Sequence, residues 1–88
     1  MEAISLARFI LYGTTACHLC EEAEAMLAWA AAASGQSVPY RKVDISDSDE
    51  LFERYGECIP VLRSDDDAGR ELNWPFDPDV LLRFLAGT

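Results

Sequence analysis

Short apolar runs alternate with longer amphipathic ones along this chain, and that alternation predicts its elements in order. Residues 6–12 (LARFILY) are nearly continuously apolar and end at Gly13, the pattern of a central strand covered on both faces. Gly13-Thr14-Thr15-Ala16 breaks the run as a loop. From Cys17 the pattern turns helical: Leu19, Ala23, Met26, Leu27 and Ala30 recur at three- and four-residue spacing and make one apolar face. Glu21, Glu22 and Glu24 fill the first turns, where negative charge complements the helix dipole, and Gly35 supplies a C-terminal stop.

Residues 38–45 (VPYRKVDI) combine β-branched and aromatic positions, with Pro39 near the start, which suits the beginning of a strand or an edge position. A strand, a helix and a second strand this close in sequence imply a parallel crossover. Asp47 reads as an N-cap, with Glu50 three residues on as a variant capping box, for a short helix over 49–55 that Gly56 stops. Residues 59–63 (IPVLR) read as a strand with proline at its entrance, 64–69 (SDDDAG) as a turn, and 70–74 (RELNW) as the antiparallel return. The three aspartates of that turn lack the alternating spacing and the distant glutamate of an EF-hand loop, so a solvated turn is predicted there. Asp77 then caps a final helix with Pro78 at its first position and Val80, Leu81, Phe84 and Leu85 on one face. The order β-α-β-α-β-β-α describes an α/β fold: a four-stranded mixed sheet with helices on both faces.

Size and charge narrow the functions this fold can serve. With 88 residues, half of them hydrophobic, the chain suits one domain over residues 1–88, with no room for a second. Sixteen acidic residues against seven basic ones give a net charge of −9. Such a surface repels phosphate backbones and anionic lipid heads, so neither nucleic acid nor a membrane is an expected partner. No stretch approaches the roughly 18–20 consecutive apolar residues that cross a bilayer. The opening MEAISLARFIL carries Glu2, a single base at Arg8 and no small-residue cleavage site, and reads as a first strand and not as a signal peptide. Cytoplasmic residence and a monomeric state are the expectations.

Three cysteines is an odd number for a secreted disulfide scaffold. Cys17 and Cys20 form a C-x-x-C where the buried strand gives way to a helix; in a reducing compartment such a pair serves catalysis or metal binding. Cys17 falls at or just before the first helical turn, where open amides and the dipole favour an anion and so lower a thiol pKa from roughly 8.5. A thiolate attacks disulfides, and Cys20, one turn on and facing the same side, is placed to resolve the product. His18, if protonated, would stabilise the thiolate further; the bland alternative is an exposed imidazole of little influence. Leu19 is either an apolar contact for a partner or part of the helix's core face. Cys58, two residues before Pro60, is either an incidental thiol, a third redox cysteine or a metal ligand.

These residues carry a resemblance. The run 9–23 (FILYGTTACHLCEEA) and the run 54–62 (RYGECIPVL), with Val43-Asp44-Ile45 between them, resemble the glutaredoxin-like proteins of the thioredoxin superfamily over nearly the whole chain. The resemblance implies a thioredoxin/glutaredoxin-like fold and a small thiol–disulfide oxidoreductase acting on a disulfide-containing protein or a small-molecule thiol. It also implies that Pro60 is cis and beside the active site, and that the backbone of Ile59 pairs with the substrate chain. The chain departs from its relatives in two places. It lacks the Trp-Cys-Gly-Pro-Cys of thioredoxins, and Asn73-Trp74-Pro75-Phe76-Asp77 stands where glutaredoxins carry the Gly-Gly-x-Asp that grips glutathione. Arg63 and Arg70 are the nearest cations for such a grip, so no cofactor is expected and glutathione as reductant is left open. Two other functions use the same residues. One is a metal or iron–sulfur module built on Cys17, Cys20 and Cys58 or His18, although a ferredoxin-like metal chaperone would order its strands differently. The other is an interaction module with vestigial cysteines.

Overall fold

In the computed structural model, which describes residues 8–35, 37–65 and 69–86, the elements follow the anticipated order. Strand β1 (Phe9–Gly13) leads to helix α1 (His18–Ser34), strand β2 (Tyr40–Asp44), a 3₁₀ turn (Ile45–Asp47) and helix α2 (Asp49–Tyr55). Strands β3 (Val61–Ser64) and β4 (Glu71–Asn73) form a hairpin, and helix α3 (Pro78–Ala86) closes the chain. The sheet order is β2-β1-β3-β4, with β1 parallel to β2 and antiparallel to β3, and β3 antiparallel to β4. The parallel pair is the crossover that α1 makes possible. The residues 6 and 7 assigned to the first strand, the opening residues before them, and the tip Asp66, Asp67 and Ala68 lie outside the described residues.

Strand β1 explains why its sequence is apolar throughout. Successive side chains point to opposite faces, so Phe9 and Leu11 enter one core and Ile10 and Tyr12 another. The first core joins them to Ala23, Leu27 and Ala30 of α1, Leu62 of β3, and Leu81 and Phe84 of α3. The second joins them to Ile45, Tyr55 and Val61. Helices α1 and α3 therefore cover one face and α2 the other. Among the described residues no helix is long and apolar enough to cross a membrane.

Several boundaries differ from the sequence reading for local reasons. The second strand runs from Tyr40 to Asp44, because Ile45 turns into a 3₁₀ turn that buries it to 1% exposure. That turn also consumes Asp47, so the N-cap of α2 is Ser48, whose Oγ accepts the Leu51 N–H at 3.3 Å. Asp77 does cap α3, its Oδ1 accepting the Asp79 N–H at 2.9 Å. The buried stripe of α1 runs through Cys20, Ala23, Leu27 and Ala30, and Leu19 lies outside it at 45% exposure. The core-face role is thereby removed from Leu19. Gly35 ends α1 at φ 71°, a left-handed position that glycine takes without a Cβ penalty, and its N–H donates to Ala31 O at 3.0 Å.

One polar network ties α2 to the hairpin. The buried Tyr55 ring stacks on Tyr12 with centroids 4.5 Å apart, and its hydroxyl donates to the Glu71 carboxylate. Arg54 and Arg63 reach the same carboxylate at 3.6 and 3.7 Å. Burial first, and the Glu71 hydrogen bond second, raise the Tyr55 hydroxyl above its ordinary pKa, so it remains a donor.

Candidate active site

A helix start leaves its first amides without partners inside the helix. Here Cys17 takes the N-cap position of α1 with extended backbone (φ −108°, ψ 104°), and its Sγ accepts the Cys20 N–H at 3.1 Å. Its carbonyl accepts the Glu21 N–H at 3.2 Å. A sulfur thus does the work that a serine or aspartate oxygen usually does at a cap. Cys17 and Cys20 form a disulfide, with Cα atoms 5.2 Å apart. Cys17 is half-buried, whereas Cys20 is 7% exposed.

The strand side of the site is built to approach that buried sulfur. Gly13 ends β1 where an added Cβ would stand 2.8 Å from Cys20 Sγ, so a glycine is what lets strand and sulfur meet. Ala16, directly before the cap, has φ 55°, the left-handed region that costs a non-glycine residue roughly 1–2 kcal/mol. Ala16→Gly should therefore raise stability by up to about 1 kcal/mol, the relief exceeding the roughly 0.5–1 kcal/mol of added freedom in the unfolded chain. Urea unfolding of the oxidised protein reads this, and a loss of stability would mean that the Ala16 methyl makes contacts worth more than the relief.

The Ile59–Pro60 peptide is cis, as the resemblance implies, and so is Trp74–Pro75, which the sequence reading did not foresee. Tyr12 pairs with Val61, and one more step of that antiparallel register sets Pro60 opposite Gly13, at the sulfur end of β1. The Pro60 carbonyl accepts the Trp74 N–H at 3.2 Å, and the Ile59 N–H is already given to Tyr55 O at 3.2 Å. His18 is largely exposed and pairs with Glu22 one turn on, Nε2 to Oε2 at 2.8 Å. Cys58 is an exposed free thiol whose N–H donates to Tyr55 O. Among the described residues no three His, Cys, Asp or Glu side chains are gathered into a group that could hold a metal ion. Arg63 and Arg70, the cations considered for glutathione, are engaged elsewhere: Arg63 on Glu71, and Arg70 over the Phe84 ring at 4.6 Å.

A cleft of about 310 Å³ opens beside the disulfide, with both cysteines in its wall. Its titratable side chains, which the sequence reading did not assign to the site, are Glu21, Glu24, Lys42 and Asp44. Glu24 accepts from Tyr40 Oη at 3.1 Å and from Lys42 Nζ at 3.4 Å. Burial, then the Glu24 contact, raises the Tyr40 hydroxyl pKa. Asp44 accepts the Ser46 N–H at 2.9 Å and its hydroxyl at 2.7 Å. The Ser46 amide first, then that hydroxyl and the Thr14 hydroxyl, hold its carboxyl below the usual range. A lowered folded-state pKa adds stability that is complete above the unfolded value of roughly 3.9 and is lost as pH falls through the folded value. Asp44→Asn should flatten the acid side of the stability–pH curve below about pH 4; an acid limb as steep as wild type's would show that Asp44 does not contribute to it.

The three- and four-residue spacing puts Leu19 on the apolar face of α1, whereas docking puts Cys20 on the buried stripe, and only the fold brings Lys42 and Asp44 of β2 to the same opening. The family profile "Glutaredoxin-like domain (DUF836)" matches residues 8–86. The X-ray structure of the protein XcR50 from X. campestris superposes with a TM-score of 0.75 at 40% identity, covering 91% of this chain and 97% of that one. The solution NMR structure of protein Ne2328 from Nitrosomonas europaea gives a TM-score of 0.72 at 27% identity, covering 96% and 98%. No curated protein matches the chain. Both structural neighbours share its thioredoxin-like fold, and a cysteine pair at disulfide distance on such a fold fits a thiol oxidoreductase-like module. With the profile spanning all but the two ends of the sequence, this chain belongs to the glutaredoxin-like domain family.

Proposed function

We propose that the protein is a dithiol–disulfide oxidoreductase in which Cys17 attacks and Cys20 resolves. The observation that carries this reading is the cap: the sulfur of Cys17 accepts a helix-start amide at 3.1 Å, while Cys20 lies buried behind it. A hydrogen bond to the sulfur favours its charged form, and the helix dipole adds to it. In the reduced protein the Cys17 thiolate attacks one sulfur of a partner disulfide, a mixed disulfide forms, and the other sulfur leaves as a thiolate. Cys20, giving up its proton, then attacks the Cys17 sulfur. The Cys17–Cys20 disulfide closes and the second partner thiol departs, so two electrons have passed to the partner.

Leu19, exposed between the two cysteines in sequence, offers the partner an apolar contact, and the Ile59 carbonyl at the cis-proline turn is the backbone group for a partner chain to reach. The His18 ring is held by Glu22 one turn on, Nε2 to Oε2 at 2.8 Å, so it faces Glu22 along the helix. The partner is a disulfide-bearing protein or a small-molecule thiol, met by a monomer in the cytoplasm without a bound cofactor. Oxidised protein incubated with a dithiol and a disulfide substrate tests the reading: turnover that needs both cysteines supports it, and a pair that never cycles refutes it.

A further inference from the structure

We propose that the cleft beside the disulfide selects disulfides that carry a cationic group, an ammonium or guanidinium, a few atoms from the reacting sulfur. This selectivity rests on the exchange chemistry proposed above. Three carboxylates and one ammonium face the cleft. The ammonium is paired within the cleft, Lys42 Nζ lying 3.4 Å from the Glu24 carboxylate, so the lining keeps a net negative charge. Asp44 is held ionised by Ser46 and Thr14. Glu21, exposed on the first turn of α1, has no cation against it among the described residues.

Spacing turns this charge into recognition. Glu21 stands four residues after Cys17, about 6 Å of rise along α1 from the attacking cysteine's position. A sulfur and a cation separated by two or three carbons span that distance. Leu11, on the sheet face that α1 covers, gives the cleft an apolar wall for those carbons, and Thr14 and Thr15 line it with small polar residues. At about 310 Å³ it admits a group of amino-acid size. The same field disfavours an anionic thiol. Cationic disulfides arise from two sources, a small aminothiol or a cysteine flanked by lysine or arginine in a protein, and the chemistry presented to the cleft is shared.

The reaction balances without a further reagent: reduced protein plus R–S–S–R gives the Cys17–Cys20 disulfide and two thiols. Pre-reduced protein in a Cys58→Ser background is mixed with excess cystamine, hydroxyethyl disulfide or dithiodipropionate, then quenched and alkylated, and the disulfide is quantified by mass. Comparing variants on the same disulfides cancels their different leaving groups. Glu21→Gln is expected to lower the cystamine-to-dithiodipropionate rate ratio by about three- to ten-fold, from one charge near 6 Å in a water-rich site. Lys42→Gln is expected to raise the ratio, high salt to compress it, and Glu53→Gln on α2, on the opposite sheet face, to leave it unchanged. A parallel pair of disulfide peptides with lysine or glutamate beside the cysteine separates the sources: a preference in both sets assigns the cleft to either, and a preference in one assigns it to that source. A ratio unmoved by Glu21→Gln and Lys42→Gln, or moved equally by Glu53→Gln, overturns the selectivity. Failure of wild-type protein to oxidise with any of the disulfides, hydroxyethyl disulfide included, overturns the exchange chemistry beneath it.

Discussion

Cys17→Ser should abolish exchange, by at least about a thousand-fold, because a hydroxyl at the cap is neither ionised near neutral pH nor able to form the mixed disulfide. Cys20→Ser should behave differently. Its Cys17 keeps the cap and still attacks, but no second sulfur stands behind it to expel the partner, so a mixed disulfide accumulates. The asymmetry comes from placement: one sulfur sits half-buried at the helix start and the other is buried against Gly13. Mass spectrometry of each variant after mixing with a model disulfide reads the trapped adduct. An adduct on Cys20 in Cys17→Ser that forms as fast as the one on Cys17 in Cys20→Ser would reverse the roles.

Leu27→Ala should lower stability by about 3 kcal/mol, within the roughly 2–5 kcal/mol seen for emptied leucine sites in close-packed cores. Leu27 is 1% exposed and sits midway along the buried stripe of α1, in the core that also holds Phe9, Leu11, Leu62 and Leu81. A domain of this size is stable by only roughly 5–13 kcal/mol, so the change removes a large part of the total and lowers Tm by roughly 12–24 °C. It acts on the chemistry too, since the docking of α1 on the sheet sets where the Cys17 cap meets β1. Calorimetry of the oxidised variant checks the value; a loss under about 1 kcal/mol would mean that the core collapses to fill the space.

What the sequence made legible follows from how local each cause is. The buried first strand, the cap at Cys17, the stop at Gly35 and the Asp77-Pro78 start of α3 each rest on neighbours in sequence and are found there, although the strand takes in Gly13, which reads as the first loop residue. Asp47 failed as a cap because the 3₁₀ turn that buries Ile45 takes it up and leaves Ser48 to cap the helix at Asp49, and burial of Ile45 is a tertiary demand. Leu19 failed as a core residue because the stripe of α1 is phased by docking on β1, which selects Cys20 in its place. The cleft carboxylates were hidden for the same reason: Glu21 and Glu24 look like ordinary helix-start charges until β2 brings Lys42 and Asp44 across from them. A glutamate four residues after each cysteine was the available signal. The cis Trp74–Pro75 peptide carried no signal beyond the Xaa-Pro bond itself.

The most direct test of the central claim is the pH dependence of Cys17 alkylation in reduced Cys20→Ser, Cys58→Ser protein. A sulfur held by the Cys20-position amide at the start of α1 should react with a midpoint well below the roughly 8.5 of a free cysteine. A midpoint at or above that value would show that the helix start does not ionise the thiol, and the proposed attack by Cys17 would lose its cause.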